Sequence, residues 1–304
     1  MSDTITLLDG GMGQELTRRS RLPATPLWST QVLLDEPHLV ADIHRDYIAA
    51  GADIITLASY SSTPCRFERV EADPGLFDVA QKAANDIALR AREAAGRDGV
   101  RIGGCLPPLF FSYRTDEIIS AEESMLTYRR IVAAQKDTAD LFICETMSTI
   151  RELTCAVTAA AESGKPVWCA VTVDDADGSQ LRSGEPVTEA ADAAIEAGAS
   201  AFLINCSFPE AVSAGLEALG RVPVPTGGYA NGFTTIAPLQ PGNTVEVLEA
   251  RSDLDPEGYA DHVDRWMDLG ATIVGGCCEV GPAHIALLGR RLGKRVTTPP
   301  SGGS

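Results

Sequence analysis

The chain of 304 residues is long enough for one large domain or two small ones, and 44% of its residues are hydrophobic. Its 25 Lys and Arg against 42 Asp and Glu give a formal charge of −17. This charge argues against nucleic acid or an anionic membrane as partner and is compatible with a cationic small substrate. The sequence shows no basic-then-apolar targeting pattern and no apolar run of about 18 residues, so we expect a cytoplasmic protein without a membrane span.

A helical segment, a glycine and a short apolar run follow one another repeatedly, most clearly in YIAAGADIITLAS (47–59), IEAGASAFLINCS (195–207) and WMDLGATIVGGCC (266–278). Glycine readily adopts the left-handed cap that ends a helix, and the β-branched residues after it favour a strand. In chain order, the predicted strands lie within 4–10, 47–59, 100–107, 137–146, 162–173, 195–207, 222–230 and 266–278. The predicted helices cover 37–50, 75–96, 121–136, 149–163, 187–197, 209–219, 256–269 and 282–292.

The strand candidates are apolar almost throughout, which is typical of strands buried on both faces of a parallel sheet. Their alternation with helices predicts the α/β class. Eight such units favour a single-domain (β/α)8 barrel of the TIM type over an open doubly wound sheet, because these barrels usually take roughly 250 residues or more. The first glycine-rich turn also lacks the GxGxxG spacing of dinucleotide-binding folds. We assign residues 1–294 to the barrel and predict a disordered tail at 295–304.

The eight cysteines are expected to be reduced, since cytoplasmic thiols rarely form disulfides. Cys144 and Cys169 lie inside apolar segments and are predicted to pack as small buried hydrophobes. Cys277 and Cys278 instead follow Gly275 and Gly276 at the end of the last strand, where the glycines free the backbone to turn both thiols to one side.

In such barrels the chemistry lies where the strands run out into the following loops. Cys206 ends the sixth strand and Cys277 and Cys278 end the eighth, so three thiols should converge on one mouth. Three ligands with a fourth position open are typical of a catalytic zinc site, and thiolates favour zinc over magnesium or calcium. Buried packing and redox chemistry are the alternatives that this pattern leaves open.

Six motifs together resemble the homocysteine S-methyltransferase family: LLDGGMGQEL, TLASYSSTPCRF, ICETM, INCSFPE, GGYANG and IVGGCCEVGPAHI. The resemblance runs from about residue 4 to 292, and its most specific element combines the Asn-Cys pair with Gly-Gly-Cys-Cys. It implies that Cys206, Cys277 and Cys278 hold a catalytic Zn²⁺. Homocysteine would be the acceptor and a small cationic onium the methyl donor, with methionine as product.

The resemblance also assigns residues to the amino acid substrate. Glu145 would bind the ammonium group of homocysteine, and Asp9 would lie close to it. The amides of Gly10 and Gly11 would face the substrate carboxylate, since glycine permits close backbone approach. Without the resemblance, Glu145 is equally well interpreted as a solvated or helix-capping carboxylate. The Asp-Gly-Gly stretch alone predicts only a turn.

Two further residues are predicted to bind substrate. Tyr60 would offer a cation–π face to the onium donor, or else pack in the core. Asn231 would shape the seventh loop. Asn205 is a candidate for supporting the neighbouring Cys206 thiolate.

The identity of the donor is the least determined feature. The loop 104–123 and the YANG stretch depart from the pattern of the S-methylmethionine-type enzymes, whereas TLASYSSTPCRF resembles it. We expect S-methylmethionine or S-adenosylmethionine, with betaine or another onium as the alternative; folate and cobalamin domains are not expected. Oligomeric state and the use of selenohomocysteine are left open.

Two other classes of function compete with this one. A non-catalytic zinc- or thiol-binding barrel would keep the thiols without turnover. A zinc hydrolase would need His or carboxylate ligands, and it is disfavoured because the histidines at 38, 44, 262 and 284 all fall in predicted helices rather than at strand ends.

Overall fold

The computed structural model describes residues 5–23, 25–27, 29–116, 119–239 and 248–297. Its strands are β1 (Thr6–Leu7), β2 (Ile54–Thr56), β3 (Arg101–Leu106), β4 (Leu141–Met147), β5 (Val167–Val171), β6 (Ala201–Asn205), β7 (Thr226–Tyr229) and β8 (Ile273–Val274). Its helices are α1 (Met12–Arg19), α2 (Ser29–Asp35), α3 (Pro37–Ala49), α4 (Pro64–Arg69), α5 (Leu76–Ala94), α6 (Ala121–Gln135), α7 (Ile150–Ala161), α8 (Val187–Glu196), α9 (Pro209–Leu219), α10 (Pro256–Asp268) and α11 (Pro282–Arg291).

The strands form a parallel barrel. Hydrogen-bonded neighbours run in the order β1-β8-β7-β6-β5-β4-β3-β2, and every pairing is parallel. The seam between β1 and β2 is closed by a parallel bridge from Leu8 to Ile54, where the Asp9 amide donates to the Ile54 carbonyl at 3.0 Å. The predicted (β/α)8 barrel is therefore confirmed.

All eight predicted helices are present with ends within two residues of the expected positions. Gly51, Gly198 and Gly270 end helices in the predicted left-handed conformation, with φ values of 104°, 111° and 99°. The sequence interpretation missed three short helices in the βα loops, α1, α2 and α4.

The core has two layers because each strand buries both faces. Inside the barrel, the strands contribute a compact apolar cluster made of Leu8, Ile54, Leu141, Ile143, Trp168, Ala170, Ala201, Leu203, Tyr229 and Ile273. A larger cluster fills the space between the strands and the surrounding helices. The filled interior leaves the carboxyl ends of the strands as the place where a cavity opens.

The last described residues pack against the opposite end of the barrel. Lys294 forms an ion pair with Asp53 at 2.6 Å, and the Thr297 amide donates to the Ala49 carbonyl at 2.8 Å. Residues 295–297 of the predicted tail are thus in contact with the fold, and 298–304 lie outside the described residues. Among the described residues, no helix is both long and apolar enough to cross a membrane.

Candidate metal and substrate site

Three thiols meet at the carboxyl ends of β6 and β8. The Sγ atoms of Cys206, Cys277 and Cys278 all lie within 4.8 Å of one another. The Cys206 sulfur is 2.7 Å from that of Cys277 and 3.9 Å from that of Cys278. All three line one cavity at the mouth of the barrel, as the sequence predicted.

The segment that carries the two adjacent cysteines is held on one side by the loop after β7. The Cys277 amide donates to the Ala230 carbonyl at 3.0 Å, and the Cys278 carbonyl accepts from the Gly232 amide at 2.9 Å. A regular parallel ladder would pair the Gly232 amide with the Cys277 carbonyl, but that carbonyl accepts from the Val280 amide at 3.1 Å. The regular strand pairing therefore ends at Cys277, and both thiols can face the mouth although their residues are consecutive.

The loop after β1 holds the same segment on the other side. A Cβ atom on Gly10 would lie 2.2 Å from the Val280 carbonyl oxygen, and one on Gly11 would lie 2.6 Å from that of Cys277. The Gly11 amide donates to the Val280 carbonyl at 2.9 Å. This amide is already used within the protein, and both glycines line the cavity. That the amides of Gly10 and Gly11 face the substrate carboxylate stays a prediction.

Cys206 lies just after β6 with a backbone φ of 48°, a left-handed conformation that is uncommon for a residue with a Cβ. The hydroxyl of Tyr113 lies 3.0 Å from its sulfur. Hydrogen bonds with Cys277, Cys278 and Tyr113 hold the pKa of Cys206 well below its ordinary value despite burial. The same contacts and burial raise the pKa of Cys277. The cluster thus favours one thiolate even without a cation.

Glu145 reaches the mouth through a bulge in β4. The register of β4 against β5 shifts between Cys144 and Met147, so Glu145 and Thr146 interrupt the ladder. Thr146 has a φ of 62°, which is costly for a β-branched residue. Bulges beside active sites commonly re-aim a side chain, and this one directs Glu145 into the cavity.

Asn205 holds that bulge in place. Its Oδ1 accepts from the Thr146 amide and its Nδ2 donates to the Thr146 hydroxyl, both at 2.9 Å. Asn205 is fully buried and is absent from the cavity lining. It therefore supports the fourth strand directly and Cys206 only as its chain neighbour, which differs from the role expected from the sequence.

Two carboxyl groups lie at the mouth: Asp9 is buried, and Glu145 is partly exposed. Asp9 accepts from the amide and the hydroxyl of Thr56, at 2.8 and 3.2 Å, and Glu145 accepts from the Cys105 thiol at 3.0 Å. Burial raises the pKa of Asp9 and that of Glu145 to about 7 each, and the charge of Glu145 adds to the effect on Asp9. The hydroxyl of Tyr229 is close enough to lower the pKa of Glu145, without making a hydrogen bond of good geometry. Both acids are poised to ionise when a cation enters.

Tyr60 lines the cavity, but its surroundings differ from the expected open cation–π face. Its hydroxyl lies 2.7 Å from the Ser112 hydroxyl, and the guanidinium carbon of Arg66 lies 5.2 Å from its ring centroid. The Arg66 guanidinium thus already lies over the Tyr60 ring. A cationic ligand bound at this ring would therefore lie close to Arg66 as well.

Asn231 is the one predicted substrate-binding residue that the structure places outside the cavity lining. It is fully buried, and its Oδ1 accepts from the Phe233 amide at 3.2 Å. Its backbone amide donates to the Ser207 carbonyl at 3.0 Å. These contacts shape the loop after β7, as the sequence suggested, and place no side-chain atom in the cavity.

Sequence reasoning missed Arg66, Cys105 and Tyr113 as cavity residues. Tyr229 stands at the end of the predicted seventh strand, two positions before Asn231, and this position correctly predicts its place at the mouth. A Thr-Pro pair signals the start of α4, because the Thr63 hydroxyl accepts from the Arg66 amide at 3.3 Å and Pro64 takes the first helical position. No local signal identifies Tyr113, which lies in the divergent loop.

Known proteins resemble the chain over almost its whole length. The homocysteine S-methyltransferase model matches residues 6–292. The chain is 31% identical to the homocysteine S-methyltransferase of Escherichia coli, over 94% of this chain and 95% of that protein. It is 26% identical to the selenocysteine Se-methyltransferase of Brassica oleracea, over 95% and 89% of the two chains.

Among solved structures, it matches the metallated form of the homocysteine methyltransferase MmuM from Escherichia coli. The TM-score is 0.79 at 29% identity, and the match covers 95% of this chain and 97% of that one. The resemblance stated from the motifs thus extends over the barrel and the whole cavity. The chain belongs to the homocysteine S-methyltransferase family of enzymes.

Proposed function

We propose that this protein transfers a methyl group from a small onium donor to the sulfur of homocysteine, giving methionine, at a zinc ion held by Cys206, Cys277 and Cys278. The observation that carries the proposal is the convergence of three thiols with the carboxyl groups of Asp9 and Glu145 on one cavity. Family membership supports the acceptor.

The thiol cluster fits a zinc ion. A tetrahedral ion about 2.3 Å from each sulfur requires sulfur atoms roughly 3.8 Å apart. The observed separations of 2.7 and 3.9 Å, within an overall span of 4.8 Å, need only small side-chain rotations to meet this. The homologous MmuM has been solved in a metallated form, which supports a metal here. When bound, zinc would supply the Lewis acidity that lowers the pKa of an incoming thiol to below neutrality.

The protein's own residues then fix the acceptor. Asp9 and Glu145 lie at the ends of β1 and β4, on either side of the mouth, and are suited to an ammonium group. Entry of that cation would favour ionisation of carboxyl groups whose pKa values lie at about 7. The β4 bulge and the Thr56 contacts hold both side chains before substrate arrives, so little ordering is needed on binding.

The donor must bring a neutral leaving group in line with the nucleophile. Sulfonium and quaternary ammonium groups meet this requirement, and the cluster's negative charge attracts them. We propose S-methylmethionine or S-adenosylmethionine, with betaine as the second candidate, because the TLASYSSTPCRF stretch resembles the S-methylmethionine branch. A role in methionine biosynthesis and a cytoplasmic location stay predictions.

The test is a donor panel with homocysteine held constant and methionine measured by mass spectrometry. We expect methionine from at least one onium donor, and loss of product together with zinc in Cys206→Ala. Cys169→Ala is the matched control, because Cys169 is equally buried and lies outside the cavity lining. Zinc binding without methionine from any donor would favour a non-catalytic metal-binding barrel and contradict the proposal.

A further inference from the structure

Arg66 is a partly buried cation that forms no ion pair with the residues that the structure describes. It lies on α4 and lines the cavity, and its Nε and Nη2 atoms are inaccessible to solvent and have no hydrogen-bond partner among the described residues. The ring of Tyr60 lies beside it, with the guanidinium carbon 5.2 Å from the ring centroid. Leaving buried guanidinium donors unpaired is costly, so such a group is expected to have an anionic partner in some functional state.

The other cations of the cavity are already engaged. Arg69 donates to the Phe110 carbonyl at 2.7 Å and stacks 3.8 Å from the Phe111 ring centroid. Arg114 forms two hydrogen bonds with Asp116, each 2.7 Å long. Among the described cavity residues, Arg66 is therefore the cation with free buried donors.

The position of Arg66 relative to the thiols identifies which substrate it faces. In this barrel β2, which precedes α4, lies opposite β6, whose end carries Cys206. In-line methyl transfer places the leaving group of the donor on the far side of the methyl from the nucleophilic sulfur. A donor that approaches the thiols from across the mouth would therefore extend toward Arg66, which lines the same cavity.

We propose that Arg66 binds the carboxylate of the methyl donor, so that the enzyme selects zwitterionic onium compounds that carry a carboxylate. This inference rests on the proposed methyl transfer and names the recognition element on its donor side. A guanidinium forms short, charge-assisted hydrogen bonds with a carboxylate. Nε and Nη2 are the paired donors that such a group accepts, once the side chain rotates to turn them from the wall into the cavity that it lines.

Arg66 also discriminates against the wrong donor. A carboxylate-free onium would bring a second positive charge toward a buried, unpaired guanidinium. The Arg66 guanidinium thus attracts the donor's carboxylate and repels an onium compound that lacks one, and both effects contribute to specificity. Removal of Arg66 should weaken binding of carboxylate donors and improve binding of carboxylate-free ones.

The test compares S-methylmethionine with its carboxamide, which has nearly the same shape and lacks the negative charge. Calorimetric titration of each into wild type and Arg66→Met, without homocysteine, gives the binding preference independently of turnover. We expect wild type to prefer the carboxylate by about 10- to 100-fold, as for hydrogen bonds between charged groups. In Arg66→Met the preference should fall to within about threefold, and the KM for homocysteine should stay as in wild type.

The control is Arg69→Met, which removes a neighbouring cation whose donors are already used and should keep the wild-type preference. Arg66→Met should fold with a melting temperature equal to or above that of wild type, because it removes an unpaired buried charge.

An unchanged preference in Arg66→Met, or a rise in the KM for homocysteine instead, would overturn the donor assignment. The donor assignment would also be overturned if the wild type bound neither S-methylmethionine nor betaine. If the proposed methyl transfer is wrong but the donor assignment is right, the wild type should still bind the carboxylate donor, and no methionine should form.

Discussion

Tyr113 is a side chain of the divergent loop that contacts the thiol cluster. Its backbone is left-handed, with a φ of 67°, and its hydroxyl lies 3.0 Å from the Cys206 sulfur. The guanidinium carbon of Arg182 lies 4.9 Å from the centroid of the Tyr113 ring. The Nε of Arg182 in turn donates to the Thr172 hydroxyl at 2.8 Å. Strained backbone conformations cluster at functional sites, and we propose that Tyr113 supports the Cys206 thiolate.

Replacing Tyr113 by Phe removes that hydrogen bond and keeps the ring. Partners of this kind typically contribute 10- to 100-fold to metal affinity, so we expect zinc binding to weaken by about tenfold. Competition with a chromophoric chelator measures the change. Tyr60→Phe is the matched control, because its hydroxyl lies 2.7 Å from the Ser112 hydroxyl; an equal loss in both variants would contradict the role.

The carboxyl groups of Asp9 and Glu145 predict a pH dependence of homocysteine binding. Burial raises the pKa of Glu145 and Asp9 to about 7, so in the free enzyme both become neutral as the pH falls below that value. Neutral carboxyls attract an ammonium group poorly. The KM for homocysteine should therefore rise as the pH is lowered from 8 to 6, while kcat changes less.

Glu145→Gln tests this account. Its KM should be high at pH 8 and vary less with pH than that of wild type, because one titrating partner is gone. Initial rates against homocysteine concentration at each pH give the values. A wild-type KM that is constant from pH 6 to 8 would exclude the binding role of these acids.

At the scale of elements, the ends of β4 and β6 are locked together. The two hydrogen bonds between Asn205 and Thr146 are fully buried, and they hold the bulge that directs Glu145. Asn205→Ala would leave the Thr146 amide unpaired and should destabilise the fold by about 2 to 3 kcal/mol.

Urea denaturation measures that loss. If the bulge also relaxes, the KM for homocysteine should rise in the same variant, while zinc content stays near that of wild type since all three thiols remain. Loss of stability without any change in KM would show that Asn205 holds the strands and leaves Glu145 where it is.

The loop after β1 sets the position of the thiols through contact of backbone with backbone. A Cβ on Gly11 would lie 2.6 Å from the Cys277 carbonyl oxygen and 3.2 Å from the Cys278 Cα. Gly11→Ala should therefore displace the cysteine segment and lower zinc content although no ligand is changed. Gly75→Ala is the control, because its nearest contact is the side chain of Asp73 at 3.2 Å; metal analysis of the two should differ clearly.

The helices that the sequence interpretation missed lie at the mouth. α1 begins after Gly11, which offers no side-chain cap, so the glycine-rich stretch looks like a turn. α4 is only six residues long, although Thr63 and Pro64 mark its start. Short helices in βα loops depend on tertiary packing more than on their own periodicity, which is why pattern reading overlooks them.

For the whole molecule, the repeated helix–glycine–strand pattern was sufficient to predict the barrel. Strand ends in turn predicted the convergence of Cys206 with Cys277 and Cys278. The contacts that complete the site join distant segments: Tyr113 meets Cys206 across 93 positions of the chain, and Cys105 meets Glu145 across 40. Such pairs depend on loop conformation and on the bulge in β4, and neither leaves a periodic signal in one sequence.

The central claim is that a single zinc ion, held by the three thiols, is required for methyl transfer to homocysteine. Titrating zinc into chelator-treated protein, with methionine formation measured at each addition, tests this claim most directly. We expect no activity at the start, a linear rise, and a break at one equivalent per chain, with no rise in Cys278→Ala. Full activity in the metal-free protein, or an undiminished response in Cys278→Ala, would contradict the account.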